Sequence, residues 1–416
     1  MSSLRNNRLL ILGVVVSLVI AYVSEISIAH QAALQKIVWM LLAVVGIMCI
    51  FLYRKRALYG KCFLILNLAY VPYILAILYT VVLSMFVGNE YGQVSQAITT
   101  SMFIVVDMLA VSALISVFKS RAATVVFWGI VLSYALSIFL AIRKVGLAEC
   151  INYYVSGDFL GYNAKNVLFE KHDVGVAVIP FMIYYLYLIF SGSAKYEKYM
   201  PAKLIVLAII MFMCGKRVAM LAILIGVIMV LLFAKNMAGR SRIAFVFLNL
   251  AFVFCFVYVA MIKTGVFTSI VNMLGINSMA RTDVYDWFAD WYTLSPLYAG
   301  YGFQYVHRYM EAGGASSLVN AFSYMHNSIL QIYIEMGFIG FFVWYGYTIL
   351  IYPVVTKKLF GSKAFLFFVA ILMPYVFMLM VDNVMTYPLY QLSMYTVFAQ
   401  FLLNSEDGRI REEIKS

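Results

Sequence analysis

Four short stretches carry side chains that could do chemistry, and three of them stand at the edge of an apolar run. His326-Asn327 precedes the run that starts at Ser328, and Gly215-Lys216-Arg217 divides two short runs. Arg281 begins RTDVYDWFADWY, and His172 lies in Glu170-Lys171-His172-Asp173 ahead of another run. Ionisable groups at such positions are costly unless they bind something or line a wet cavity. Arginine, lysine and imidazole gathered together suit an anion with several oxygens. A diphosphate fits best, because guanidinium forks bind its oxygens in pairs and offset charge that grows on a leaving group. Magnesium-assisted phosphate chemistry would want an acidic pair beside the phosphates. None is obvious, so neither a metal nor a cofactor is expected.

The chain that positions these groups has 416 residues, 65% apolar and 12% charged, with mean hydropathy +0.94. No soluble core could hide that much apolar surface, so the fold class expected is an all-α integral membrane protein. Barrel-type alternation is absent. Apolar runs at 8–23, 37–53, 62–87, 97–118, 122–142, 174–190, 202–214, 218–233, 243–262, 330–356, 364–381 and 387–403 predict about twelve helices, since about 20 residues cross the hydrocarbon layer. The division expected is helices one to five in 1–142, an outer loop at 143–173, and helices six to nine in 174–262. A large outer loop with short amphipathic helices follows at 263–327, then helices ten to twelve in 328–403 and a tail at 404–416. Most of the 30 Lys and Arg fall on the N-terminal side of the membrane, which puts both termini in the cytoplasm. The net charge of +12 then reflects topology and not a nucleic-acid surface. The first run resembles a signal-peptide core, but the spans behind it favour an uncleaved helix. The five cysteines show neither metal-ligand nor disulfide spacing.

Local patterns sharpen this. Only eleven apolar residues separate Leu204 from Cys214, about 16 Å of helix, so Lys216 and Arg217 should be sunk below the surface. Asp107, inside a span, is expected to pack or hydrogen-bond within the bundle. The 143–173 loop holds Asn152, Tyr153, Tyr154, Tyr162 and Asn163, aromatic faces and amides suited to sugars. In RTDVYDWFADWY, Val284, Trp287, Phe288 and Trp291 recur at helical spacing and predict one apolar face at the membrane interface. Arg281 stands in its first turn, where the helix dipole disfavours a cation, and so should reach for an anion. Gly300 and Gly302 around Tyr301 permit a tight turn. Gly337 and Gly340 predict a kink or close helix packing, and Asp382-Asn383 marks the last outer turn.

Gly215-Lys216-Arg217, Arg281 with its tryptophan-bearing helix, Gly300-Tyr301-Gly302-Phe303, and His326-Asn327 with Glu335-Met336-Gly337 and Gly340 together resemble the O-antigen ligase and O-antigen polymerase (Wzy) superfamily. The resemblance covers roughly residues 215–340. It implies a GT-C-like fold and a metal-independent, inverting glycosyltransferase in the bacterial inner (plasma) membrane. Donor and acceptor would be undecaprenyl-diphosphate-linked oligosaccharides among membrane lipids, with a chain-length regulator as a further partner. By the same resemblance, Arg217 and Arg281 bind the diphosphate as catalytic groups, and His326 orients or deprotonates the acceptor hydroxyl, imidazole being suited to proton transfer near neutral pH. Lys216, Asn327, His172, Tyr301 and Tyr162 join them as substrate-binding candidates. The base could also be Glu335 or Asp173. Glu335 is nine residues past His326, about 14 Å along a straight helix, which favours a structural role. The leading reading is a repeat-unit polymerase. The alternatives are a ligase that uses lipid A core as acceptor, and a non-enzymatic flippase, whose charges should instead follow a midplane path.

Overall fold

The computed structural model describes residues 11–16, 29–156, 172–193, 197–235, 239–278, 280–313 and 324–413. Within them the chain is helical throughout. In order come α1 (Ala29–Tyr53), α2 (Ala57–Leu68), α3 (Val71–Val87), α4 (Gln93–Phe118), α5 (Ala122–Val145), α6 (Leu147–Val155), α7 (His172–Phe190) and α8 (Met200–Met213). Then follow α9 (Arg217–Phe233), α10 (Arg240–Lys263), α11 (Val266–Met273), α12 (Arg281–Phe288), α13 (Tyr305–Glu311), α14 (Ser328–Tyr345), α15 (Tyr352–Val381) and α16 (Pro388–Glu413). Five helical stretches, Leu58–Val87, Gln93–Val145, Asp173–Phe190, Arg240–Lys263 and Ser328–Val381, are long and apolar enough to cross a membrane, and Ile37–Tyr53, α8 and α9 are shorter apolar helices. The protein is therefore a helical membrane protein. Most of the first apolar run, 8–23, and the centre of the 143–173 loop with Tyr162 lie outside the described residues.

The bundle centres on α16, which packs on α4 and α7, while α15 packs on α9. Lipid tails are as apolar as leucine, so such contacts are held by close fit more than by exclusion of water. Tyr184, Tyr185 and Tyr187 of α7 are almost fully buried, and Tyr187 meets Phe367 and Phe401, themselves stacked at 4.1 Å. Gly46 of α1 lies so close to the Leu109 carbonyl of α4 that a Cβ would collide with main chain. At one end of α8, Lys203 pairs with Glu197, which also accepts from the Thr124 hydroxyl at 2.8 Å.

Several expectations are corrected. The first part of the 143–173 loop is helix, because α5 runs to Val145 and α6 follows after one residue. The predicted amphipathic helix is shorter: α12 ends at Phe288 and a 3-10 turn carries Ala289–Trp291. Its buried face is Thr282, Val284, Tyr285 and Phe288, while Trp287 is turned outward, 41% exposed. The aromatic spacing was satisfied by Tyr285 as well as by tryptophan, and packing chose the tyrosine. Asp107 is fully buried, and among the described residues neither carboxylate oxygen has a hydrogen-bond partner.

Gly337 does break its helix, with φ +64°, and the reason is a close approach. Gly300 faces it at φ +84°, where a Cβ would lie 2.5 Å from the Glu335 carbonyl oxygen. The freed main-chain groups are taken up there: Phe338 N donates to the Tyr298 carbonyl at 2.8 Å, and Tyr301 N and Gly302 N donate to the Glu335 carbonyl at 3.1 and 2.7 Å. The Glu335 carboxylate, fully buried, accepts from Val306 N and from the Gln331 amide, each at 3.0 Å.

Candidate functional site

Helix α8 has 14 residues, about 21 Å of rise where about 30 Å is needed. It begins at Met200 with Pro201 in its first turn and cannot borrow length from the preceding chain. Cys214 therefore stops below the bundle end. Gly215, at φ +65°, turns the chain, Lys216 follows extended, and α9 starts at Arg217. Of the other helix starts preceded by a left-handed residue, two lie at this same end of the site. Ala280 is left-handed at φ +60° immediately before α12, and His326 is left-handed at φ +53°, two residues before α14. For residues with a Cβ this region is unfavourable and persists only where surroundings enforce it.

What enforces it is the turn after α15. The Asp382 carboxylate, 1% exposed, collects four donors. Lys216 forms an ion pair with Oδ2. Tyr387 donates its hydroxyl to Oδ1 at 2.8 Å, and Asn383 N donates to the same oxygen at 2.8 Å. His326 Nδ1 lies 3.4 Å from Oδ1. The neighbouring main chain is held too: Arg281 Nη1 donates to the Val381 carbonyl at 2.8 Å and Ser328 donates to the Asp382 carbonyl at 3.0 Å. Tyr285 closes the ring by donating to the His326 carbonyl at 3.0 Å. The start of α7 is adjacent, since a Cβ at Gly175 would lie 3.0 Å from that of Cys214.

The electrostatics follow from this packing. Burial alone would raise the Asp382 carboxyl, but Lys216 and His326 beside it hold it well below the usual carboxylate range. Tyr387 is pushed far up, first by burial and then by Asp382 and Asp173. Burial raises Tyr285 as well, although Arg281 opposes it. Both phenols thus remain hydrogen-bond donors. The Lys216 ammonium also sits 5.1 Å over the Tyr387 ring. Three cations, Lys216, Arg217 and Arg281, stand at helix starts α9 and α12, beside the start of α14. Such ends favour an anion through their amide groups and dipole.

The predicted residues separate into groups. Lys216, Arg281 and His326 meet at Val381–Asp382. Arg217 follows Lys216 but is exposed and makes no ion pair with a described side chain, which suits it to a bound anion. Asn327 has another job: it is fully buried, its side-chain oxygen accepts from Leu330 N at 3.0 Å as the cap of α14, and its amide donates to the Tyr258 hydroxyl at 3.1 Å. Tyr301 donates to the Trp291 carbonyl at 3.2 Å and stacks on Tyr305 at 4.9 Å, in an aromatic cluster apart from Asp382. His172 is the first residue of α7. Asp382, Tyr387 and Tyr285 went unnoticed as site residues in the sequence. A signal was available for Asp382, a carboxylate directly after an apolar span with no nearby base, which calls for a distant cation.

Comparison with protein families matches residues 202–345 to the family described as O-antigen ligase. Among curated proteins none matches the chain. The matched stretch, about a third of the chain, contains Lys216, Arg217, Arg281 and His326.

Proposed function

We propose that the protein joins undecaprenyl-diphosphate-linked repeat units into O-antigen or capsule chains on the outer face of the bacterial inner membrane, as an inverting glycosyltransferase of GT-C type. The observation that carries this reading is the meeting of Lys216 and His326 on the buried Asp382 carboxylate, with Arg281 on the adjoining Val381 carbonyl, beside three helix starts. The donor's diphosphate lies among Arg217, Arg281 and the helix amides. The acceptor hydroxyl attacks the anomeric carbon, the bond from that carbon to the diphosphate oxygen breaks, and the guanidinium groups offset the charge that develops there. With Nδ1 turned to Asp382, the imidazole presents Nε2 to the attacking hydroxyl and takes its proton. Asp382 acts through His326 as a positioning residue, fixing the ring and its tautomer, as a carboxylate does in other imidazole bases.

Surface polysaccharide on a gel tests this. Arg281→Ala should lower polymerisation about 10²- to 10³-fold, the cost of losing one preorganised charge-stabilising donor, and leave single repeat units on the core while the protein inserts normally. A normal ladder would remove Arg281 from the chemistry. Deleting the protein distinguishes neighbouring activities: one unit on core means polymerase, bare core means ligase, and stalled lipid-linked unit inside the cell means flippase.

A further inference from the structure

Beside the diphosphate site lies an aromatic pair that the chemistry above does not use. The rings of His307 and Tyr324 stack at 4.4 Å with planes only 8° apart. His307 is 5% exposed and Tyr324 39%, so the histidine forms a floor and the tyrosine an open surface. The floor is fixed in plane: His307 Nε2 lies 3.3 Å from Glu311 Oε1, and Arg308 holds the other carboxylate oxygen at 2.7 Å while donating through Nε to the Tyr91 carbonyl at 3.1 Å. Tyr324 is two residues before His326, at most about 7 Å of chain, and the His326 side chain is 29% exposed. Glu311, the carboxylate on His307, is itself 41% exposed at its side chain and so open to further donors. The open ring, Glu311 and the catalytic imidazole are thus linked through the His307 stack and the short chain from Tyr324 to His326.

We propose that Tyr324, backed by His307, is the stacking platform for the sugar that carries the attacking hydroxyl, with Glu311 accepting a hydrogen bond from another hydroxyl of that sugar. The inference rests on the glycosyl-transfer reading and adds where the acceptor binds. An aromatic face takes the C–H surface of a pyranose while carboxylates bind its hydroxyls, and neither group favours a diphosphate. A ring already stacked on a fixed neighbour loses little freedom on binding.

The test is saturation-transfer NMR on the full-length protein in nanodiscs. The probe is the repeat-unit oligosaccharide freed from its lipid by mild acid. Sugar C–H signals should appear with the unaltered protein, fall at least fivefold in Tyr324→Ala and persist in Tyr324→Phe. Thermal stabilisation by undecaprenyl diphosphate alone should be the same in all three. Undiminished sugar signals in Tyr324→Ala, or their absence in the unaltered protein, overturn the platform. Should Tyr324→Ala fail to fold, Glu311→Gln decides in its place, weaker sugar signals supporting the platform and unchanged signals overturning it. A normal polysaccharide ladder in Arg281→Ala would sink the donor reading separately, so the two failures are distinguishable.

Discussion

Two buried carboxylates, Asp382 and Glu335, have been stabilised in opposite ways. Asp382 is surrounded by charge and by side chains from separate segments: Lys216, His326 and Tyr387. Glu335 is held by neutral donors, the Val306 amide and the Gln331 side chain, and its own carbonyl takes two more main-chain amides from the 301–302 turn. The first arrangement leaves polar groups that a substrate can recruit. The second uses main chain, which cannot be redirected without unfolding the turn. On the proposed reading, the difference separates the acid that serves the chemistry from the acid that serves the frame.

Substitutions can break that contrast. The largest effect should come from His326→Ala, which removes proton transfer and is expected to slow polymerisation about 10²- to 10⁴-fold in nanodisc assays, with melting temperature nearly unchanged. Activity within tenfold of the unaltered protein would deny His326 its role. Lys216→Met leaves Asp382 buried without its ammonium partner and should cost about 3–5 kcal/mol of stability. Asp382→Asn in the same chain should recover much of that loss, as paired groups couple, while activity stays low. Additive losses would show that the two do not form a unit. Gly337→Ala tests the frame: it forces a side chain onto the 298–299 main chain in a left-handed conformation and should cost about 1–3 kcal/mol, seen as a lower melting temperature with diphosphate affinity preserved.

The smallest effect is on pH. Because the folded Asp382 carboxyl lies below its usual range, its contribution to stability is fully present above the ordinary aspartate value near about 4. It declines only as pH falls through that range toward the folded value. Melting temperatures from about pH 5 down to about pH 2 should show an acid limb that is flattened in Asp382→Asn. An unaltered limb would show that other carboxylates govern it.

Much of this was legible in the sequence, and the reasons differ by residue. Lys216 stood out because a short apolar run cannot carry it to the surface, and α8 meets that length argument. Gly337 stood out as a glycine within an apolar run and Gly300 as a turn glycine, although nothing in the sequence paired them. Asp382 looked like any acid in a turn, since its partner His326 is 56 positions away and only folding brings them together. Asn327 looked like a ligand group because an N-cap and a binding amide present the same residue type at the same place. Trp287 misled because helical spacing defines a face by sequence, whereas the surrounding helices decide which side is covered.

The backbone-to-backbone clasp between the 298–302 turn and the broken middle of α14 has a consequence for diversification. Its register is written mostly in amides and carbonyls, so the side chains flanking it can be exchanged without loosening the grip. A chain built this way can vary the side chains around the clasp while the main chain there keeps its alignment.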